Sequence, residues 1–235
     1  MPVFSFSADP ETRSPVFDRA TYRILLCEAE VALWLSIFLL DAPSASKYLS
    51  VTIPFFLALP VCFPPRFPGV FVSVALGLTL VADLFFVLLS PPRPVVAISL
   101  FLVVQVVYCL FLHSQDRRVR PLSAFAVRVA VCLVVLPPIF FVFGADPIPL
   151  LGGAYGVWLV ANLIGAMRGK DLRFACGMLL FFFCDLSLGV AFLLSRRGSA
   201  PLSSFFGCAA WAFYPPSQTL IALSAEGGHL SPARE

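Results

Sequence analysis

Long apolar blocks separated by short polar connections make up most of this chain. The blocks fall at about 23–40, 48–63, 67–90, 95–113, 122–143, 148–167, 172–195 and 204–225. Each lies near the ~20 residues a helix needs to cross the hydrocarbon core of a bilayer. Pro and Gly punctuate the connections, among them PPRFPG, SPPRP, ADPIP and SRRGSAP. The pattern predicts an all-α polytopic membrane bundle of eight transmembrane helices over residues 23–225. A polar segment, 1–22, precedes it and a polar tail, 226–235, follows. The second block is short and carries Pro54 and Pro60. The pairs Pro137–Pro138 and Pro215–Pro216 lie inside blocks, where each should kink its helix and free backbone carbonyls.

Composition points the same way. Of 235 residues, 60% are hydrophobic and 12% charged, less charge than a soluble domain exposes. The whole length fits one bundle. Seven cysteines and two histidines are scattered through it without a CxxC pair, which argues for inert buried thiols and against a metal site. No basic run suggests nucleic acid, and no cofactor motif appears. Residues 1–22 lack the pattern of a cleavable signal.

The distribution of charge sets an orientation. Alternate connections and the two terminal segments collect eleven of the Lys and Arg residues, including Arg13, Arg66, Arg117, Arg118, Arg168, Lys170 and Arg234. The opposite side holds four: Lys47, Arg93, Arg196 and Arg197. Both termini are therefore expected to be cytoplasmic. The membrane would be the plasma membrane in a bacterium or the endoplasmic reticulum in a eukaryote.

Away from the block ends, five charges fall inside the blocks: Glu28, Glu30, Asp83, Arg128 and Asp185. An intramembrane charge costs at least ~2.5–3.5 kcal/mol on insertion scales, so each needs a partner or a task. Glu28 or Glu30 is expected to pair with Arg128 at similar depth. Asp83 and Asp185 sit in the third and seventh blocks, somewhat past the middle, and each is followed by Leu. This spacing suggests a four-plus-four internal repeat that would bring the two carboxyl groups to one cavity. Gln105 and Tyr108, Tyr214 and Gln218, and Trp158 and Asn162 form one-face pairs at comparable depth.

These residues, in order, carry a resemblance. K-Y-L-S (47–50), A-D-L-F-F-V-L-L (82–89), Q-V-V-Y (105–108), G-M-L-L-F-F-F-C-D (177–185) and Y-P-P-S-Q-T-L-I-A-L-S (214–224) resemble the YhhN/TMEM86 family. Its members are eight-span membrane proteins that include lysoplasmalogenases. The chain departs from the family pattern at Ala82, where Gly is usual, at Gln105, where His is usual, and at the Pro215–Pro216 pair.

The resemblance implies hydrolysis of the vinyl ether bond of a lysophospholipid with an alkenyl chain, without a metal or other cofactor. That reaction needs a proton donor and a negative charge beside an oxocarbenium-like cation. Two carboxyl groups in a partly dry cavity divide such roles. Asp83 and Asp185 are the candidate catalytic pair, and the Phe-rich surroundings of Asp185 favour it as the acid. Gln105, Tyr108, Asn162, Tyr214 and Gln218 are candidates to orient water or the glycerol hydroxyl. Lys47 is the candidate for the phosphate, with membrane lipids around the bundle. A proton- or cation-coupled transporter and an inactive lipid-binding relative are the rival readings.

Overall fold

A computed structural model describes residues 19–39, 43–59, 69–115 and 121–225. Eight α-helices and no strands occur among them. They are α1 (Arg19–Leu39), α2 (Ser44–Ala58), α3 (Gly69–Asp83), α4 (Pro94–Gln115), α5 (Pro121–Phe143), α6 (Pro147–Arg168), α7 (Leu172–Arg196) and α8 (Ala200–Ser224). Each corresponds to one apolar block. The N-terminal segment up to residue 18, Cys62, the connections bearing Arg66 and Arg117–Arg120, and the tail beyond residue 225 lie outside the described residues.

Local chemistry explains where several helices begin and end. Asp146 caps α6 by accepting from the Ile148 N–H at 3.0 Å, with Pro147 as the first helical residue. That bond, together with Arg196, holds the Asp146 carboxyl below the usual carboxylate range. Asp171 caps α7 through the N–H groups of Arg173 and Phe174. Gly144 and Gly198 follow α5 and α7 with φ of 66° and 76°, a conformation costly for a residue with a Cβ.

Five stretches among the described residues are long and apolar enough to cross a membrane: Gly69–Leu88, Pro94–Gln115, Leu122–Phe143, Pro147–Arg168 and Leu172–Arg196. Helices α1, α2 and α8 do not meet that measure; α2 has 15 residues, and α1 carries Arg23, Glu28 and Glu30. Large apolar side chains cover the outside, such as Leu122, Leu133 and Phe141. An exterior of that kind suits lipid rather than water, and the protein is a membrane protein.

Helices α7 and α8 form the tightest pair. A Cβ at Gly177 would stand 3.0 Å from the Ser217 carbonyl oxygen and 3.1 Å from the Ile221 nitrogen. The helix backbones come this close because Gly177 has no side chain. Helix α3 packs on α4, α4 on α6, and α2 on both α3 and α8. Helix α5 packs on α6, whereas α1 packs on α2 and α8.

The proline pair in α8 does not break the helix. Pro215 has no N–H, so the Trp211 carbonyl one turn earlier loses its usual partner. The Trp34 indole N–H of α1 takes it up at 3.3 Å. Thr219 Oγ1 in turn donates to the Pro215 carbonyl at 3.0 Å. A sequence feature that would weaken an isolated helix thus becomes the bond that ties α1 to α8.

Candidate functional site

Asp83 ends the regular part of α3. A π-helical turn, Leu84–Leu88, follows it at once, so the register of the helix changes beside the carboxyl group. Such turns concentrate at functional sites. Asp83 is 2% exposed. Its Oδ2 accepts from the Tyr214 hydroxyl of α8 at 2.6 Å.

Asp185, in the middle of α7, is half-buried. Its Oδ2 accepts a short hydrogen bond from the Tyr155 hydroxyl of α6. The two carboxyl groups lie within electrostatic reach of one another, and the buried Cys184 lies within reach of both. Each candidate carboxyl group is therefore met by a tyrosine from another helix. Aromatic rings join the two tyrosines in the sequence Tyr155, Phe101, Phe181, Tyr214, with centroids 6.2, 6.3 and 5.9 Å apart. These rings form a wall on which an alkyl chain can lie.

Other candidates sit around this pair. Tyr108 is buried, stacks edge-on against Phe174, and turns its hydroxyl toward Thr79, one turn before Asp83 on α3. Neither hydroxyl closes a hydrogen bond of normal geometry as a donor or acceptor of the other, nor does Gln218 Oε1 have a partner among the described residues. Gln218 Nε2 donates to Ser217 Oγ at 3.3 Å. Buried polar atoms with spare capacity suit a polar ligand or water.

Lys47 lies at the start of α2, with Nζ 5.7 Å from the centroid of the Trp211 ring. Trp211 packs against Tyr214, which places the lysine one aromatic layer from the Tyr214–Asp83 pair. Tyr48, beside it in sequence, donates to the Leu80 carbonyl of α3 at 3.2 Å.

One expectation changes. Arg128 does not pair with a glutamate. Its Nη2 donates to Asn162 Oδ1 at 2.9 Å, its Nη1 donates to the Ala124 carbonyl at 3.0 Å, and the guanidinium lies over Trp158. Glu30 is buried with both carboxyl oxygens unpartnered among the described residues, and Glu28 is exposed. The reason is topological: α5 docks on α6, while α1 docks on α2 and α8. Asn162 joins Arg128 to Gln105. Both faces of its amide are committed to protein partners, since Nδ2 donates to Gln105 O at 2.7 Å and to Gln105 Oε1 at 2.9 Å. These bonds hold Gln105 in place.

Tyr155 and Thr79 escaped the sequence reading. Tyr155, Trp158 and Asn162 lie at i, i+3 and i+7, one stripe of α6, and Thr79 lies one turn before Asp83. That spacing was the available signal for both.

The profile of one family, described as the YhhN family, matches residues 45–225, well over half of the chain. No curated protein and no solved structure is similar enough to match it. The matched region contains Lys47, Asp83, Gln105, Tyr108, Asn162, Asp185, Tyr214 and Gln218.

Proposed function

Because the chain belongs to the YhhN family, we propose that it is a membrane-embedded hydrolase of the lysoplasmalogenase type, acting on the vinyl ether bond of an alkenyl lysophospholipid. One observation carries the reading: two carboxyl groups from different helices share one site, each held by a tyrosine hydroxyl. The family supplies the reaction class, and the geometry supplies groups that suit it.

In the first step one carboxyl group gives a proton to the β-carbon of the vinyl ether. The π electrons form the new C–H bond and leave a cation on the carbon bonded to the ether oxygen. The second carboxyl group, ionised, faces that cation. Water adds to the cationic carbon and gives up a proton to the second carboxylate. As the resulting hemiacetal divides into a fatty aldehyde and a glycerophospho-base, the first carboxylate takes the hemiacetal hydroxyl proton and the second carboxyl group protonates the departing glycerol oxygen, so the pair returns to its starting state. Proton transfer to carbon is the slow step, which is why a positioned acid matters.

Around the pair, Gln105, Tyr108, Tyr214 and Gln218 would orient water and the glycerol hydroxyl. Lys47 would meet the phosphate, and the rings of Phe101 and Phe181 would accept the alkenyl chain. All eight helices are taken as spans, with both termini on the cytoplasmic side. Neighbour relations support the four-plus-four repeat: α1 on α2, α2 on α3, α3 on α4 and α2 on α8 recur as α5 on α6, α6 on α7, α7 on α8 and α6 on α4. Under that relation Asp83 on α3 corresponds to Asp185 on α7.

The test is aldehyde release from lysoplasmenyl-ethanolamine by the full chain purified in detergent. Release is expected, and Asp83→Asn and Asp185→Asn are each expected to abolish it at normal expression. Release that survives both substitutions sinks the carboxyl mechanism. Failure of the unsubstituted protein, beside an active family member, sinks the hydrolase reading. Gradient-dependent uptake in vesicles would then support a transporter.

A further inference from the structure

The hydrogen bonds between Arg128 and Asp185 run in one direction. A guanidinium only donates, so Asn162 must turn its oxygen toward Arg128 Nη2. A backbone carbonyl only accepts, so Asn162 Nδ2 must face Gln105 O. The two contacts fix the orientation of the Asn162 amide without ambiguity. Nδ2 also donates to Gln105 Oε1 at 2.9 Å, which turns the Gln105 oxygen toward Asn162 and its Nε2 away. The Tyr155 hydroxyl lies beside the Gln105 side chain, and Tyr155 donates its own proton to Asp185 Oδ2. Gln105 Nε2 closes no bond of normal geometry, so this is the loosest link. The hydrogen bonds that do close, Arg128 to Asn162, Asn162 to Gln105 and Tyr155 to Asp185, all donate toward Asp185, and the Gln105 amide nitrogen is left free to face the Tyr155 oxygen.

Asp83 is placed differently. Tyr214 meets it, and the Tyr214 ring packs on Phe181 and Trp211 rather than on a chain that begins at a cation. The groups facing Asp185 are Tyr155 of α6, Tyr214 of α8, Asp83 of α3 and Cys184 of its own helix. None of these is a cation, and the cation of this network, Arg128, stands at the far end of the donors.

We propose that Arg128, Asn162, Gln105 and Tyr155 form a one-way donor chain that holds Asp185 as the negatively charged member of the pair and leaves Asp83 to carry the proton. Donors aimed at one carboxyl group stabilise its anion, and a linked chain polarises each bond in it. Of two neighbouring carboxyl groups only one need ionise, and the chain selects which. This reverses the expectation that the phenylalanines around Asp185 make it the acid. It rests on the hydrolase reading for its purpose: Asp185 becomes the counter-charge to the cation and Asp83 the proton donor. Arg128, Asn162 and Gln105 act through Tyr155 and are positioning residues.

Infrared spectroscopy of the purified full chain at neutral pH tests this without turnover. The band of a protonated carboxyl group is expected in the unsubstituted protein, lost in Asp83→Asn and kept in Asp185→Asn. Difference spectra cancel the contributions of Glu28 and Glu30. Gln105→Met, which keeps the side-chain length and removes the donor, should shift the carboxylate band assigned to Asp185, as should Tyr155→Phe. Gln105→His restores a ring N–H donor and should leave that band in place. Loss of the protonated band in Asp185→Asn with its retention in Asp83→Asn overturns the assignment, as does the absence of any such band. An Asp185 carboxylate band that stays put in both Gln105→Met and Tyr155→Phe overturns the chain. Absence of aldehyde release would remove the hydrolase reading while these spectra still decide the chain.

Discussion

The Tyr214 hydroxyl donates to Asp83 across 131 residues of chain, at 2.6 Å, and so ties α8 to α3 beside a π-helical turn. Both residues are buried. Leaving a buried carboxyl oxygen without its donor costs about 1–3 kcal/mol. Tyr214→Phe removes the bond and keeps the ring against Phe181 and Trp211. The expected outcome is a fold that holds and a kcat reduced at least roughly tenfold, since about 1.4 kcal/mol corresponds to that factor. Aldehyde release and thermal unfolding measured on the same sample separate the two. An unchanged kcat would remove Tyr214 from the site.

Gly177 is the residue that lets α7 and α8 approach. A Cβ there would meet Ile221 Cγ1 at 2.7 Å and, more seriously, two backbone atoms at 3.0 and 3.1 Å. A side chain can rotate away, but backbone held in a helix cannot. Gly177→Ala is expected to destabilise the bundle by about 1–3 kcal/mol, the usual cost of overpacking. Gly189 lies on the same helix with nothing within 4 Å of its Cβ position. Gly189→Ala should be neutral or slightly stabilising, because Ala is the better helix former. Unfolding temperatures in detergent check the contrast, and equal effects at the two positions would refute it.

Much of the fold was legible because membrane helices announce themselves by length and apolar composition. All eight helices lie on the eight apolar blocks, and the prolines within them proved compatible with continuous helix. The two aspartates were legible for the same reason: a carboxyl group in an apolar block stands out. Their tyrosine partners were only half legible. Tyr214 sits in a motif with Gln218, whereas Tyr155 lies among small and apolar residues of α6. The partner of Arg128 could not be read, because depth along a helix is encoded in sequence but the angular position of one helix around another is not. Depth made Glu28 and Glu30 reasonable partners, and packing gave Arg128 to Asn162.

The bond from the Trp34 indole to the Trp211 carbonyl predicts a stability effect far from the carboxyl pair. Pro215 leaves that carbonyl without its helical partner. Trp34→Phe keeps an aromatic ring and removes the donor. A loss of about 1 kcal/mol is expected, the net value of an ordinary hydrogen bond. The double substitution Trp34→Phe with Pro215→Ala should recover part of it, because alanine supplies the backbone N–H that Pro215 lacks. Additive losses in the double-mutant cycle would show that the two residues are not linked.

Lys47 gives the sharpest separation between binding and chemistry. Its ammonium lies over Trp211, one ring away from Tyr214, and is half-buried at the start of α2. An ammonium so placed can meet a phosphate at the edge of the bundle while staying clear of the reacting carbon. Lys47→Ala is expected to raise KM for a lysoplasmenyl phospholipid about tenfold, the effect of losing one charge-assisted contact of about 1.4 kcal/mol, with kcat little changed. A 1-alkenylglycerol, which has the same vinyl ether and no phosphate, should show no such rise. The comparison matters because truncation also removes the ammonium–indole contact and loosens Trp211. Damage of that kind would lower kcat for both substrates alike, since it would reach Asp83 through Tyr214. Equal KM changes for the two substrates would mean that Lys47 does not recognise the phosphate.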